Sequence, residues 1–219
     1  MKILISGTSK GIGKAVAMYF LDQGYEVVGI DKLWSTISHK NYTHHVFDLC
    51  NSDGLPTINS IDYIFVNAGL QNSEDDIKNN LCSAINLCEK YMNDSSLKGI
   101  LFNASASARS GFEFPNYVAS KAGLVGYMKN VACRLADRKV VVNSLSLGGV
   151  ISESNKEIIE NKELWNKVMK VTPLKKWVTL DEVVEWVDFL LIKNKSASGQ
   201  DFLVDNGELN LNNTFVWPK

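Results

Sequence analysis

A glycine-rich turn close to the N-terminus limits the folds that this chain can adopt. Residues 6–13 read SGTSKGIG, and they join the apolar run 3–5 to a segment with helical periodicity. Glycines permit a tight turn and let backbone N–H groups approach a pyrophosphate, while the helix N-terminus offers it partial positive charge. An ordinary glycine-rich turn is the alternative, but the strand before, the helix after and an acid ending the second strand favour dinucleotide binding. The expected contacts are Gly7, Ser9, Lys10, Gly11, Ile12 and Gly13.

The alternation of short β-rich runs with longer helical patterns predicts the fold class. Most strand candidates are apolar without clean alternation, as in a parallel sheet covered on both faces. We therefore predict an α/β protein: a single-domain, Rossmann-type, doubly wound parallel sheet of about seven strands with flanking helices. The strands are predicted at 3–6, 26–30, 44–47, 62–67, 99–103, 140–145 and 201–204, and the helices at 12–23, 73–92, 116–136, 157–170 and 181–193.

The connections around the third strand are short. Only residues 32–43 join the second strand to the third, and only residues 50–61 join the third to the fourth. A parallel crossover normally needs a dozen or more residues and usually contains a helix. We therefore expect no full crossover helix at either place. At the end of the chain, Thr179 or Asp181 is expected to cap the last helix.

Length, charge and apolar runs exclude several classes of protein. In a chain of 219 residues, a single domain (residues 1–219) has to bind both a dinucleotide and a substrate. The formal net charge is -1 and the basic residues are scattered, which argues against nucleic acid as a partner. No apolar run approaches the length of a membrane span, and the N-terminal run is too short for a signal peptide. We expect a cytoplasmic protein with no membrane or nucleic-acid partner.

The cysteine and histidine pattern predicts neither disulfides nor a metal site. The four cysteines have no CxxC spacing and no secretory context, so we expect them to be buried, reduced thiols. Two of the three histidines are adjacent in an extended segment, which turns their rings to opposite faces, and zinc usually needs more ligands. The residues concerned are Cys50, Cys82, Cys88, Cys133, His39, His44 and His45.

Polar and small residues follow the predicted strands, at the edge where open α/β sheets bind ligands. Asp31 ends the second strand, where a carboxylate can accept hydrogen bonds from the adenosine ribose hydroxyls; a solvated strand-end acid is the alternative. Asp48 follows the third strand, and the sequence NAG at 67–69 leaves space for a flat ligand. The expected dinucleotide contacts in this group are Asp31, Asp48, Leu49, Asn67, Ala68 and Gly69.

Tyr117 and Lys121 lie four residues apart in a helical pattern and therefore share a face. A tyrosine with a pKa near 10 is a poor base at neutral pH. An ammonium about 5 Å away, at an effective dielectric of about 20, stabilises the phenolate by about 3 kcal/mol and brings it within reach of acid-base chemistry. Ser105 lies near the end of the preceding strand. A tyrosine and a lysine that merely share a helix are the alternative for this pair taken alone.

Together these motifs resemble the short-chain dehydrogenase/reductase family, and the resemblance covers nearly the whole chain. The glycine turn, NAG at 67–69 and YVASK at 117–121 match the family's motifs in order. The closing segment VDNG at 204–207 follows in its expected place. The resemblance implies an NAD(P)-dependent oxidoreductase that interconverts an alcohol and a carbonyl on a small substrate by hydride transfer.

The resemblance also implies a role for each active-site residue. Tyr117 would be the general acid or base, and Lys121 would lower its pKa and hold the nicotinamide ribose. Ser105 would polarise the carbonyl, and Asn80 would steady a proton-relay water. Tyr117, Lys121 and Val150 would also contact the coenzyme.

The position of the active-site serine departs from the family's pattern. Ser105 and Ser107 lie twelve and ten residues before Tyr117, both closer than the family's serine. A rigid alignment from Asn103 puts Ala106 at the site. Ser105 is favoured because its spacing is nearer to the family's, and Ser107 stays open.

Two other functions compete with the oxidoreductase. One is a non-catalytic, coenzyme-binding regulatory or scaffold protein of the same fold, against which the retention of Tyr117 and Lys121 argues. The other is a sugar-nucleotide epimerase or dehydratase of the extended relatives, which add a substrate domain that this chain has no length for.

The coenzyme preference rests on opposing charges. Asp31 can bond free ribose hydroxyls and would repel a 2'-phosphate, whereas Lys10 and Lys32 would attract it. An exposed lysine is screened by solvent, so we expect NAD(H) to be favoured over NADP(H).

The substrate site is predicted from its place in the sequence, and the oligomeric state from the resemblance to the family. Substrate contacts are expected in the segment 151–176 and in the loop 108–116, which carry Trp165, Phe112 and Phe114. Aromatic residues that simply pack are the alternative. The helices at 73–92 and 116–136 resemble those that pair across subunits in the family, so a homodimer or a homotetramer is expected.

Overall fold

The computed structural model describes residues 1–112 and 114–211, and a single parallel sheet of seven strands runs through them. The order across the sheet is β3-β2-β1-β4-β5-β6-β7, and every neighbouring pair is parallel. The winding direction reverses between β1 and β4, so a crevice opens at the carboxyl ends of these strands. The predicted fold class is confirmed. The strands are β1 (Lys2–Ser6), β2 (Glu26–Asp31), β3 (Tyr42–Val46), β4 (Tyr63–Val66), β5 (Gly99–Asn103), β6 (Val141–Leu147) and β7 (Asp201–Val204).

Helices cover both faces of the sheet. Consecutive strand residues point to opposite faces, so Leu4 packs on one side while Ile3 and Ile5 pack on the other. The first layer contains α2 and α4, and the second contains α1 and α7. The helices are α1 (Gly11–Asp22), α2 (Ser83–Tyr91), α3 (Ser107–Ser110), α4 (Pro115–Leu135), α5 (Lys156–Glu160), α6 (Lys162–Val171) and α7 (Leu180–Asp188), with π-helical segments at Ile77–Cys82 and Phe189–Lys193 and short 3-10 turns at Ala136–Arg138 and Glu153–Asn155.

Side-chain caps explain where several helices begin. The helix predicted at 157–170 is two helices, because the side chain of Asn161 accepts hydrogen bonds from the backbone N–H groups of Glu163 and Leu164, both at 3.1 Å, and so begins α6. Thr179, and not Asp181, caps α7, in a capping box with Glu182. The short helix α3 has no counterpart among the predicted helices.

Loops replace the crossover helices on either side of β3, as predicted. Residues 32–41 and 47–62 contain no helix. Leu49, Leu55 and Ile61 from the second loop are buried in the same layer as α2 and α4. These apolar side chains close the core where a helix would otherwise pack, which lets a short chain keep the complete sheet.

Candidate functional site

The glycine turn between β1 and α1 is held in a conformation that requires glycine. Gly7 has a φ of +76°, and its N–H donates to the carbonyl of Ile30 at 2.8 Å, which ties the turn to the end of β2. A Cβ atom at Gly13 would lie 2.0 Å from the carbonyl oxygen of Gly7. The start of α1 therefore lies directly against the turn, as a phosphate-binding loop needs.

Ser6 and Asn67 lock the carboxyl ends of β1 and β4 together. The hydroxyl of Ser6 accepts hydrogen bonds from the backbone N–H groups of Asn67 and Ala68, at 2.9 and 3.0 Å. The Nδ2 of Asn67 donates to the carbonyl of Ser6 at 3.0 Å. The floor of the crevice is therefore rigid before any ligand binds.

Asp31 is oriented by the backbone around it. Its carboxylate accepts hydrogen bonds from the N–H of Ser9 at 3.0 Å and from the N–H of Leu33 at 2.9 Å. A carboxylate offers about four acceptor positions, so two of them remain for ligand hydroxyls. Ser9 thus acts on Asp31 through its backbone, and its hydroxyl donates to the carbonyl of Leu33 at 3.0 Å.

A cleft of about 250 Å³ opens along the carboxyl ends of the strands, between Asp31 and Asn103. Of the other expected contacts, Gly13 supports the turn, and Val150 is buried with Val178 at a strand-like bridge. Lys32, which was expected to attract a 2'-phosphate, also lines the cleft. The cleft has further lining residues that the sequence did not predict: Leu33, Asn79, Asn103, Ser152 and Ser154. Ten of the expected dinucleotide contacts line it: Gly7, Lys10, Gly11, Ile12, Asp31, Asp48, Leu49, Asn67, Ala68 and Gly69.

Asp48 and Cys50 form one wall of this cleft. The carboxylate of Asp48 accepts the N–H of Cys50 at 3.0 Å, and this backbone hydrogen bond lowers the pKa of Asp48. Burial raises the pKa of the Cys50 thiol. All four cysteines are free, but the expectation that they are buried is wrong for three of them, because only Cys88 lies in the core.

Lys121 is buried beside Tyr117. Its Nζ lies 5.7 Å from the centre of the Tyr117 ring and donates to the carbonyl of Asn103 at 2.8 Å. Burial lowers the pKa of Lys121 to about 8, and the negative charge of the buried Asp76 opposes that shift. The helical spacing therefore brings the two residues together, with the ammonium held at the end of β5.

Asn80 uses its side chain to hold the loop that follows β4. Its Oδ1 accepts the N–H of Leu70 at 2.7 Å, and its Nδ2 donates to the carbonyl of Leu70 at 2.8 Å and to the hydroxyl of Ser120 at 3.0 Å. The residue is 1% exposed and lies in the π-helical segment Ile77–Cys82. The amide thus joins this segment to α4 and to the rim of the cleft.

Ser105 and Ser107 lie together at the carboxyl end of β5. The hydroxyl of Ser105 donates to that of Ser107 at 3.0 Å and accepts the N–H of Ser107 at 3.2 Å. Both residues are buried, and Ala106 is the N-cap of α3. The two hydroxyls are hydrogen-bonded to each other, so they occupy the same place at the end of β5. Both residues therefore remain candidates for the serine that contacts a substrate carbonyl.

The aromatic residues of the expected substrate region divide into two groups. Trp165 and Trp177 pack edge to face with their ring centres 5.3 Å apart, and Trp177 covers Gly149, where a Cβ would lie 2.0 Å from the indole. These two rings pack against the turn after β6. Phe112 and Phe114 are exposed.

Neither a helix long and apolar enough to cross a membrane nor a cluster of three or more potential metal ligands occurs in residues 1–112 and 114–211.

Comparisons with known proteins match this geometry to a family. Residues 57–208 match the family model described as enoyl-(acyl carrier protein) reductase, and residues 3–109 match the NAD-dependent epimerase/dehydratase model. The chain belongs to the short-chain dehydrogenase/reductase family. This dehydrogenase/reductase is 28% identical to the 3-oxoacyl-[acyl-carrier-protein] reductase FabG of Buchnera aphidicola, over 93% of the chain and 95% of the relative. It is 27% identical to the L-rhamnose 1-dehydrogenase (NADP(+)) of Thermoplasma acidophilum, over 94% and 95%.

Solved structures agree with the sequence comparisons. A short-chain dehydrogenase family protein from Francisella tularensis is 27% identical, with a TM-score of 0.82 over 94% of this chain and 98% of that one. The 4-hydroxyisoleucine dehydrogenase complexed with NADH is 25% identical, with a TM-score of 0.85 over 95% and 98%. The chain is therefore an NAD(P)-dependent oxidoreductase that acts between alcohols and carbonyls, as its motifs predicted.

Proposed function

We propose that this chain transfers hydride between a nicotinamide coenzyme and a small alcohol or carbonyl compound, with Tyr117 as the general acid or base. The observation that carries the proposal is the buried ammonium of Lys121, 5.7 Å from the centre of the Tyr117 ring and bonded to the end of β5. An ammonium at this distance favours the phenolate. Proton exchange with a substrate oxygen then becomes feasible near neutral pH.

The residues of the crevice fit a dinucleotide. The turn at Gly7 and Gly13 leaves no room for a Cβ, as a backbone that cradles phosphates requires. Asp31 keeps acceptor positions for ribose hydroxyls, and the Oδ1 of Asn103 is a buried acceptor with no hydrogen bond in the part of the chain that the structure describes. When bound, the nicotinamide supplies or takes up the hydride.

In the proposed mechanism, the residues of the chain transfer a proton and orient the substrate and the coenzyme. In the reducing direction, the hydroxyl of Tyr117 gives its proton to the substrate oxygen, while the hydroxyl of Ser105 turns away from Ser107 and donates its hydrogen bond to that oxygen. Lys121 has three N–H donors, and within residues 1–112 and 114–211 one of them donates to Asn103, so two remain there for a ribose hydroxyl and for stabilising the phenolate. Asn80 acts as a positioning residue, because its amide holds the rim of the cleft.

The competing hypothesis from the sequence was a coenzyme-binding protein without catalysis, and the reductases and dehydrogenases among the relatives argue against it. Ala106, the residue that a rigid alignment puts at the serine position, favours this alternative, whereas the buried Lys121 beside Tyr117 argues against it. The test is a panel taken from the relatives: 3-oxoacyl thioesters, aldoses and hydroxylated amino acids. Coenzyme-dependent turnover with one member supports the proposal, and coenzyme binding without turnover across the panel supports the alternative.

We propose that the substrate contacts lie in the segment 151–176 and in the loop that ends at α4. The exposed Phe114 is the N-cap of α4, three residues before Tyr117. Among the missed cleft residues, the hydroxyls of Ser152 and Ser154 follow β6 and can donate to a phosphate or an amide. The segment from β6 to α6 would thus cover both coenzyme and substrate.

Asp31→Ser is expected to relax a preference for NADH. The carboxylate stands at the end of β2 and would repel a 2'-phosphate, so the wild-type chain should bind NADH more tightly than NADPH. The variant should lose about tenfold to a hundredfold in NADH affinity and gain NADPH binding, because one charged hydrogen bond contributes about 1.5–3 kcal/mol. Fluorescence titration with both coenzymes measures the ratio.

The matched control is Asp48→Ser, at the acid that follows β3 and bonds the N–H of Cys50. This change should alter the affinities for the two coenzymes by a similar factor. Tighter NADPH than NADH binding by the unmodified chain would mean that Lys10 and Lys32 govern the pocket, and would refute the role given to Asp31.

We also propose a homodimer, or a tetramer with two-fold symmetry, in the cytoplasm. Glu89 of α2 accepts hydrogen bonds from Tyr127 and Arg134 of α4, so the two helices present one joined surface. Ala119 and Ala122 on the exposed side of α4 allow close approach of a second copy. Light scattering at micromolar concentration should report a dimer or tetramer, and Ala122→Arg should dissociate it. A monomeric wild-type chain would contradict the proposal.

A further inference from the structure

Asn103, the last residue of β5, lies between the cleft and the buried ammonium. Its side chain is 9% exposed and lines the cleft. Its main-chain carbonyl accepts the hydrogen bond from Lys121 Nζ at 2.8 Å. A ligand that touches the amide of Asn103 is therefore held close to the proposed acid-base pair.

The orientation of the Asn103 amide is fixed by its neighbour Asn67. The Nδ2 of Asn67 donates to the carbonyl oxygens of Ser6 and Gly7, at 3.0 and 3.4 Å, so its Oδ1 faces Asn103. The Nδ2 of Asn103 donates to that Oδ1 at 2.9 Å. A flipped Asn103 amide would set two oxygens against each other, so the Oδ1 of Asn103 points away from Asn67.

The Oδ1 of Asn103 is a buried acceptor without a hydrogen bond among the described residues. Nearly all buried polar side-chain atoms have a partner, so an unpaired one indicates a site for a ligand or a water. The partner has to be a donor, which excludes a phosphate oxygen and favours a hydroxyl. Asp31 lies at the other end of the same cleft, three strands away across the sheet, where the adenosine half is expected.

We propose that Asn103 positions the coenzyme by accepting a hydrogen bond, at Oδ1, from a hydroxyl of the ribose next to the nicotinamide. The proposal rests on the proposed function, because it needs a dinucleotide in the cleft. The main-chain carbonyl of Asn103 binds Lys121, and its side-chain amide would bind the ribose. One residue therefore sets the distance between Lys121 and the ribose. A substrate hydroxyl offers the same chemistry, and the experiment separates the two sources.

The experiment compares ADP-ribose, which carries the second ribose, with ADP, which lacks it. Calorimetry on Asn103→Ala should show ADP-ribose affinity reduced about fivefold to tenfold, the effect of one hydrogen bond, and ADP affinity changed less than twofold. If the alanine variant does not fold, Asn103→Cys, which fills more of the space and is only a weak acceptor, should show the same selective loss.

Asn143→Ala is the matched control. Asn143 is 1% exposed on β6, and its amide donates to Ala197 and accepts from Gln200 within the protein. This variant should lower thermal stability without changing the ratio of ADP-ribose to ADP affinity.

Three results would overturn the assignment. Equal losses of ADP and ADP-ribose affinity would mean that Asn103 has a merely structural role, and unchanged affinity for both would mean that it contacts neither. Unchanged ADP-ribose affinity with a raised KM for the alcohol would assign the hydroxyl to the substrate. Absence of NADH, NADPH and ADP-ribose binding in the wild-type chain would instead refute the proposed function itself.

Discussion

Replacing Tyr117 by phenylalanine is expected to reduce turnover by a factor of about 10² to 10⁴, the usual contribution of a positioned general acid or base. The ring stays beside Lys121, so the affinity for reduced coenzyme should change by less than about threefold, which corresponds to about 0.6 kcal/mol. Steady-state kinetics and a coenzyme titration on the same preparation separate the two effects.

Tyr127→Phe is the matched control for this prediction. Tyr127 lies on the same helix, but its ring packs against Phe102 of the core and its hydroxyl donates to Glu89 of α2 at 2.8 Å. Its loss should cost about 1 kcal/mol of stability and leave turnover intact. Full turnover in Tyr117→Phe would show that another group carries the proton.

Among substitutions of glycine by alanine, Gly13→Ala is expected to disturb the coenzyme site most. The new Cβ would lie 2.0 Å from the carbonyl oxygen of Gly7 and 2.6 Å from Asn67 Nδ2. These are backbone and locked side-chain atoms, so the turn has to move. We expect the free energy of unfolding to fall by about 1–3 kcal/mol and coenzyme binding to be lost.

Gly126→Ala makes the same chemical change in α4, where no atom lies within 4 Å of the new Cβ. It should raise the free energy of unfolding by about 0.5–1 kcal/mol, because alanine favours the helix over glycine. Chemical denaturation compares the two variants. Equal stabilities would mean that the turn is not as tightly packed as its geometry indicates.

The sequence predicts the features that depend only on residues close to one another along the chain. Both β5 and β7 have the predicted bounds, and Tyr117 and Lys121 meet because helical spacing alone brings them together. The break at Asn161 was missed, because a helical pattern continues through it and only the cap geometry ends α5. The side chain of a residue such as Asn161 competes with backbone carbonyls for the N–H groups of the next turn, and the outcome decides whether the helix breaks there. Hydrophobic periodicity carries no information about this competition.

The missed cleft residues have a different cause. Asn103 ends β5, and Ser152 lies in the segment that follows β6. These parts of the chain meet only in the folded sheet, and neither residue is part of a short motif. The pairing of Asn103 with Asn67 depends on the register of β4 against β5, which the sequence does not show. Such contacts become visible only when the sheet order is known.

Transfer of deuterium from NADH or NADPH that carries deuterium at both C4 positions to a carbonyl compound tests the central claim most directly. With a 3-oxoacyl thioester from the panel, or the ketone that corresponds to an alcohol of the panel, mass spectrometry of the product should show one deuterium on the carbon that bears the new hydroxyl. The Tyr117→Phe variant should form this product at least about a hundredfold more slowly. Coenzyme oxidation that leaves no deuterium in the product would contradict hydride transfer to a carbonyl at this site.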